Sequence, residues 1–418
     1  MKRLVTLLLV SILLLCLAVP AFAEEEVTLI WSGWSGEEES TRPAIMEMID
    51  SWNALDNGIT VQWVGWPWDE TVQQLLIRSQ GGEPSDLAQV DMGMYVTLRE
   101  AGVLKDLNTL VDSDWLEDNF ESSTLALGKE GDQQLNLPWT VACTPMLYNP
   151  SILEAAGVEK VPETIEEFEE ALEKIYAYDS TIIPYALCTQ DTTCADDFQP
   201  WIWTFGGQIF GEDGKAAINS EFGVKTLEWY KKLLDKGFIR MNMTRFDARV
   251  LFAQGKVAFY DDIIGARATA IANGMDAENI DNLIKPMARP VVSVGDPPTA
   301  DTWSHMLVVF EGSEHPKEAM QFIQYILEQQ SLMYFETNGM LPVIKSVAQN
   351  EAIQNDSWSA KYLELTATAK ATEVSAFVNN DEMSTIIAEE VQAALTGVKD
   401  VQTALDDAAA RLDKAAAR

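Results

Sequence analysis

Two short stretches bring together residue types that could hold a ligand. WSGWSGEEES, residues 31–40, follows the first β-like run, and VGWPWDE, residues 64–70, follows the second. The first is too broken for a helix and too polar for a core strand. Of the chain's 13 tryptophans, several fall in such segments rather than on periodic faces, and an exposed loop indole needs a burial partner. The chemistry this suits is recognition of a polyhydroxylated molecule. Its apolar C–H faces stack on flat rings while carboxylates and amides fix its hydroxyls. Trp31 ends its strand and is expected to pack in a core, whereas Trp34, in the glycine-containing loop, is expected to face the ligand. Trp66 and Trp68 flank Pro67, which fixes the turn. At least one of them is expected to face a cleft, the alternative being a packed pair covering an edge. Asp91 and Met92 close a third apolar run, with Asp91 either a hydroxyl acceptor or a helix cap. Glu38 is explained equally well by a helix start.

Reactive chemistry is poorly supplied. The only histidines are His305 and His315, neither in a recognisable catalytic setting. A Ser-His-Asp triad or a His/Cys zinc site is therefore not expected, and no cofactor or metal is implied.

The chain opens with a secretory leader. Lys2 and Arg3 precede an apolar stretch from Leu4 to Leu17, and Ala21-Phe22-Ala23 is an A-x-A cleavage site, so residues 1–23 are expected to be removed and the mature chain to begin at Glu24. A lipid anchor at Cys16 is the competing reading, opposed by Leu15 where a small residue belongs. No later stretch has the apolar length of a membrane helix. Removing Lys2 and Arg3 takes the formal charge from −36 to −38, which repels nucleic acid and anionic lipid. Most of these carboxylates belong on solvated helix faces such as EEFEEALEK. Cys143, Cys188 and Cys194 remain, and Cys188 and Cys194 are close enough in sequence to close a small loop if geometry allows.

The elements that must position these residues alternate. Residues 27–31 form a buried-type strand, and a helix follows over about 41–55 with Ile45, Met48, Ile49 and Trp52 at helical spacing. Asn57-Gly58 turns into a strand over 59–64. A second helix carries Val72, Leu75 and Leu76 and stops at Gly81-Gly82, and a short strand covers 86–90. This βαβαβ order predicts a mostly parallel sheet with helices on both faces. Further along, Thr164 and Glu167 read as a capping box, Ser220 as a cap, Pro316 as a helix start and Gly397 as a break between two final helices. Two α/β lobes without an obvious linker suggest a chain that crosses between them more than once. Open α/β sheets bind ligands at the carboxyl ends of their strands, so two facing lobes would form a cleft there.

Several stretches, in order, carry a resemblance: GGEPSDLAQVD, AGVLKDL, LPWTVACTPMLYNPSILEAAGVEKVPETIEEFEEAL, FGGQIFGEDGKAAINSEFGVKTLEWYKKLLDKGFI, FAQGKVAFYDD, HPKEAMQFIQYILEQQSLMYFETNGMLP and GVKDVQTALDDAAARL. Together they span nearly the whole mature chain. The chain resembles the extracellular solute-binding proteins of ABC importers, family 1, typified by maltose and oligosaccharide binders. The resemblance implies an α/β, two-lobed periplasmic-binding-protein fold (type II) that closes on one ligand and docks on a membrane permease. It implies crossings near Leu137 to Thr140, Leu283 to Pro286 and Gly339 to Pro342. The first lobe would then comprise 24–137 and 285–338, and the second 138–284 with the closing helices of 339–418. Family order puts Trp34, Ser35, Trp66, Trp68, Asp91 and Met92 on the first wall and Trp139 in the hinge. Asp197, Trp201 and Asp262 fall on the second wall, with Asp196 beside Asp197. Trp303 stands where the family usually has paired glycines, and Asn379 stands where relatives often place an aromatic contact.

Three function classes follow. The leading expectation is a non-enzymatic, periplasmic, monomeric binder of a neutral mono- or oligosaccharide, since arginine is sparse at the candidate positions. The second is a binder of a cation such as a polyamine or betaine, using Asp91, Asp197 and Asp262 beside aromatics. Three or more carboxylates ringing a narrow slot would favour it. The third, a glycoside hydrolase, has no motif behind it.

Overall fold

The computed structural model describes residues 26–190, 192–366 and 368–417, apart from the side chains of Ser123 and Trp303. The leader, Cys16 and the Glu24 start lie outside them. Val27–Gly33 (β1), Arg42–Asn53 (α1), Ile59–Gly65 (β2), Trp68–Gln80 (α2), Leu87–Val90 (β3) and Met92–Glu100 (α3) realise the expected βαβαβ order. β1 pairs in parallel with β2, from Val27 opposite Ile59 to Gly33 opposite Gly65, and in parallel with β3. The helical spacing on α1 turns Ile45, Met48, Ile49 and Trp52 inward. Trp31 is fully buried among them, edge-on to Trp63 at 5.2 Å and to Phe322 at 5.4 Å.

The chain continues through Leu137–Thr144 (β4), Met146–Tyr148 (β5), Ile165–Tyr178 (α4), Ile183–Tyr185 (β6), Thr193–Thr204 (α5), Glu221–Asp235 (α6), Arg245–Ala253 (α7), Val257–Asp261 (β7), Lys285–Met287 (β8) and Asp301–Val309 (β9). Pro316–Tyr325 (α8), Asn380–Leu395 (α9) and Val401–Ala416 (α10) complete the elements used below. The first sheet has the order β2-β1-β3-β9-β4 and the second β8-β5-β7-β6. Among the strands named here, β2-β1-β3 and β6-β7 pair in parallel and the others antiparallel. β9 runs antiparallel to both β3 and β4, because it returns the chain from the second lobe against the direction in which β4 left. The sheets are therefore mixed rather than mostly parallel.

Each lobe has its own apolar cluster. β3, α3 and the end of β9 enclose one around Val90, Met94 and Met306. The second lobe packs Phe168, Trp201, Phe259, Ile387 and Leu412 together. A third cluster, around Trp31, Trp139 and Phe322, runs on into Leu147 and Tyr260, so apolar packing is continuous through the hinge. The caps follow the sequence. Thr164 accepts from the Glu167 amide while the Glu167 carboxylate reaches the Glu163 amide, one residue earlier than a reciprocal box requires. Ser220 caps α6. Gly397, at φ 73°, makes the left-handed turn between α9 and α10 that a Cβ would strain.

β4 and β9 form the two-stranded ribbon between the lobes. β4 continues through Pro145 into β5 of the second sheet, and Thr140 bridges Pro342. The return expected at Leu283 to Pro286 falls later. β8 pairs with β5 inside the second sheet, so residues 285–287 still belong to that lobe and the chain comes back along β9. Cys188 is a free thiol, so the small loop to Cys194 is not closed by a disulfide.

Candidate functional site: the cleft between the lobes

The carboxyl ends of β1 and β3, the hinge ribbon and the starts of five helices surround a cavity of about 550 Å³. Trp34, Trp68, Asp91 and Met92 form the wall on the first lobe. Asp301, Ser304 and His305 of β9 form the back, and Thr193, Asp196, Arg245, Arg249 and Asp381 face them from the second lobe.

The indoles are held from behind. Trp34 meets the His305 ring edge-on at 4.7 Å. It is only 4 % exposed and packs with Val90, Met94 and Met306. It therefore borders the cavity and also completes a core, which the sequence reading did not expect. Trp68 donates its Nε1–H to Asp91 Oδ2 at 2.7 Å, while Asp91 Oδ1 accepts the Met94 amide at 2.9 Å and caps α3. One carboxylate thus fixes both a ring and a helix. Burial raises its pKa, and these two donors counter part of the rise.

A polar relay sits behind Trp34. Gln89 accepts the Ser35 amide through Oε1 at 3.2 Å, which sets the orientation of its carboxamide. Its Nε2 then donates to Ser35 Oγ at 2.7 Å and to His305 Nδ1 at 2.8 Å. Nδ1 must be an acceptor, so His305 is neutral with its proton on Nε2. Burial agrees, pushing its pKa down to about 3. Ser35 is buried in this relay and does not reach the cavity.

Several expected contacts lie behind the wall. Trp66 packs half-buried against the Trp34 cluster. Trp139 is buried and stacked on Tyr334 at 4.7 Å. Asp197 pairs with Arg245 at 2.5 Å and accepts the Cys188 amide. Asp262 grips Arg249 in two bonds of 2.9 and 2.7 Å. Trp201 is core, donating to the Tyr185 hydroxyl at 2.9 Å. Asn379 donates to the Ala415 carbonyl, while its neighbour Asn380 borders the cavity. Trp303 pairs through its backbone with Ala142 in the hinge ribbon, and its side chain is outside the described ones. Trp139, Asp197, Trp201 and Asp262 are of types that suit a polar or aromatic wall, but each is engaged by a buried partner instead.

The second wall is instead built from Asp196, Arg245 and Arg249, with Asp301 and His305 at the back. The signal for the arginines was present in RFDAR, which puts them four apart on one helix face. Four of the wall carboxylates share an origin: Asp91 caps α3, and Asp69, Asp196 and Asp381 lie in the first turns of α2, α5 and α9. Each helix start carries about half a positive charge, so these carboxylates face a field that offsets them. Among the described residues no three His, Cys, Asp or Glu side chains converge closely enough to hold a metal ion.

Asp196 is pushed up to about 8, chiefly by burial, with Arg245 pulling it down. The folded state then keeps a proton that the unfolded chain releases near pH 4. The stability this supplies is full below about pH 4 and is lost as pH rises toward 8. Asp196→Asn removes that dependence. Its melting temperature should therefore gain on the wild type between pH 4 and pH 8, and a constant difference across that range would contradict the assignment.

Residues 35–332 match the model of the bacterial extracellular solute-binding proteins, and the chain belongs to that family. It is 26 % identical over 249 residues to an arabinooligosaccharide-binding protein of Bacillus subtilis (strain 168), covering 56 % of this chain and 55 % of that one. It is 23 % identical over 438 residues to the sn-glycerol-3-phosphate-binding periplasmic protein UgpB of Brucella abortus (strain 2308), covering 98 % and 97 %. In three dimensions it resembles an ABC transporter solute-binding protein of Thermotoga lettingae bound with alpha-D-tagatose, at a TM-score of 0.80 and 22 % identity over 93 % of this chain and all of that one. The two-lobed fold is thereby shared.

Proposed function

We propose that this chain is the exported substrate-binding component of an ABC importer, capturing a neutral mono- or oligosaccharide between its lobes and delivering it to the permease by hinge closure. The observation that carries this is the cavity of about 550 Å³ in which the indoles of Trp34 and Trp68 stand beside the separate carboxyl groups of Asp91, Asp196 and Asp301. That volume lies within the range of small-ligand sites. Rings supply platforms for C–H faces, and dispersed carboxyls supply acceptors for hydroxyls. Asp196, protonated near neutrality, supplies a donor as well. The membership of the family and the sugars named for two of the relatives support the same reading. No catalytic step is invoked.

The cation reading rests on the six carboxylates that border the cavity: Glu38, Asp69, Asp91, Asp196, Asp301 and Asp381. Their number favours it, but their arrangement does not. They are spread around the walls rather than gathered at one point, four face helix starts, and Arg249 lies close enough to Glu38 to counter the rise in its pKa. An anionic ligand would have to enter against these carboxylates while both arginines are already paired.

A thermal-shift screen of saccharides, spermidine and glycine betaine separates these readings, since a ligand bound only by the native state raises its melting temperature. The expected result is a rise with a saccharide and none with the cations. Calorimetry of that hit in two buffers of different ionisation enthalpy should show no net proton release. A rise with spermidine or betaine alone, with a proton displaced from Asp196, would replace the saccharide reading.

A further inference from the structure

The lobes touch at the mouth of the cavity through contacts that involve no ligand-facing ring or carboxylate. α3 belongs to the first lobe, where Met94, Tyr95, Val96 and Leu98 pack against β3 and β9. The 374–395 segment belongs to the second, through Val374, Met383, Ile386 and Ile387. Across this boundary Asn380 Nδ2 lies 3.1 Å from the Gly93 carbonyl and 3.3 Å from Thr97 Oγ1. Thr97 Oγ1 in turn lies 3.0 Å from the Val378 carbonyl.

We propose that Asn380, Gly93 and Thr97 form an interlobe clasp that sets how firmly the cleft stays shut. The proton count allows it. Nδ2 has two hydrogens, and one goes to the Phe377 carbonyl at 2.8 Å on its own side, which orients the amide. The other is left for the facing lobe. The Thr97 hydroxyl can accept that hydrogen and still donate its own, to Val378 across the gap or to Gly93 O at 3.1 Å within α3. One to two bonds therefore cross.

Gly93 makes the approach possible. A Cβ there would stand 2.8 Å from Asn380 Oδ1, closer than such atoms come without something moving. The glycine is needed for space, since it is not among the positive-φ positions. Asn380 is only 8 % exposed, so its amide is shielded from water while the lobes are together, whereas the Thr97–Val378 bond lies at the surface. Opening exposes the amide, and each bond lost then biases the closed state by about fivefold. The clasp depends on the two-lobe geometry and not on the identity of the ligand.

The test uses ligand-free protein. Spin labels at Ile77 in the first lobe and Val398 in the second, 54 % and 78 % exposed, report the lobe separation by electron–electron resonance. Thr97→Val keeps the shape of a side chain that does not border the cavity. Gly93→Ala acts from the crowded side. Wild type should show a short-distance population, and each variant should raise the ratio of long to short by about fivefold, with circular dichroism unchanged. Asn380→Asp, which keeps the shape but loses the donor, should behave in the same way. Superimposable distributions for wild type, Thr97→Val and Asn380→Asp would overturn the clasp, as would a wild type lacking the short population. Neither result bears on whether a saccharide binds.

Discussion

Replacing Trp34 by alanine is expected to weaken ligand binding by about 2–4 kcal/mol, the scale of a central aromatic anchor, and to lower the stability of the protein by about 3–5 kcal/mol as well. The double effect follows from where the ring sits. One part borders the cavity, and the rest fills a cluster with Val90, Met94 and Met306 against the edge of His305. Trp31→Ala is the control. That ring is enclosed by Trp63, Trp139 and Phe322 and does not border the cavity, so it should destabilise by a similar amount while leaving affinity nearly unchanged. Calorimetry with the saccharide found by screening, together with denaturant unfolding of both variants, measures the two quantities separately. If Trp34→Ala unfolds early yet binds as tightly as wild type, the ring is packing alone and the saccharide platform lies elsewhere on the wall.

Arg289→Ala is expected to cost about 3–5 kcal/mol of stability, because it strips one partner from a buried pair. The Arg289 guanidinium lies at 2.5 Å from Asp261 Oδ1 and 4.8 Å over the Trp201 ring, and its Nε donates to the Thr299 carbonyl. Asp261 also accepts the Tyr185 hydroxyl at 2.5 Å, and that hydroxyl accepts from Trp201 Nε1. The network therefore closes on itself inside the second core. Burial has already pushed Asp261 up to about 6 against the pull of Arg289. Without the guanidinium, Asp261 should keep its proton to a pH well above 6, so the loss should shrink as pH falls toward about 6 and stay level below it. Arg289→Met with Asp261→Asn removes both charges and should recover much of the stability. Urea unfolding at pH 5 and pH 8 checks this. A single variant as stable as wild type at both values would mean that the pair contributes nothing.

The fold was legible because its signals are local and periodic. The inward stripe of α1, the stop of α2 at Gly81-Gly82, the Ser220 cap of α6 and the Gly397 break between α9 and α10 all survive in three dimensions. The return crossing was not legible, since Lys285–Met287 is too short to declare which sheet it joins and only the partner strand β5 decides. For the candidate site, strand ends led to residues that border the cavity on the first wall, where loop position and cavity position coincide for Trp34, Trp68, Asp91 and Met92. They misled on the second wall. Asp197 and Asp262 look like ligand carboxylates, yet each turns inward to an arginine that no local pattern pairs with it. Asp196, one residue away on the same first turn, faces the cavity. Adjacent residues on a helix point about 100° apart, and sequence alone does not say which of two neighbouring aspartates looks outward. Gln89 was missed for a different reason. A lone amide in the apolar run Leu87–Val90 looks like noise until its three bonds to Ser35 and His305 are seen.

β9 has a further meaning for how this molecule can change. Its first half sets Asp301, Thr302, Ser304 and His305 on the cavity wall, and its second half, Met306 to Val309, lies inside the first sheet beside β3, with a shift of register between the two. The same strand is half of the ribbon on which the lobes must bend. Ligand preference and mechanical compliance are thus written in one run of nine residues and cannot drift independently there. The first turns of α2 and α5 are different, since they carry wall groups without carrying the ribbon or the Asn380 clasp. Divergence of taste at constant mechanics has an open route through those turns, whereas a change in β9 alters what is held and how the protein moves to hold it.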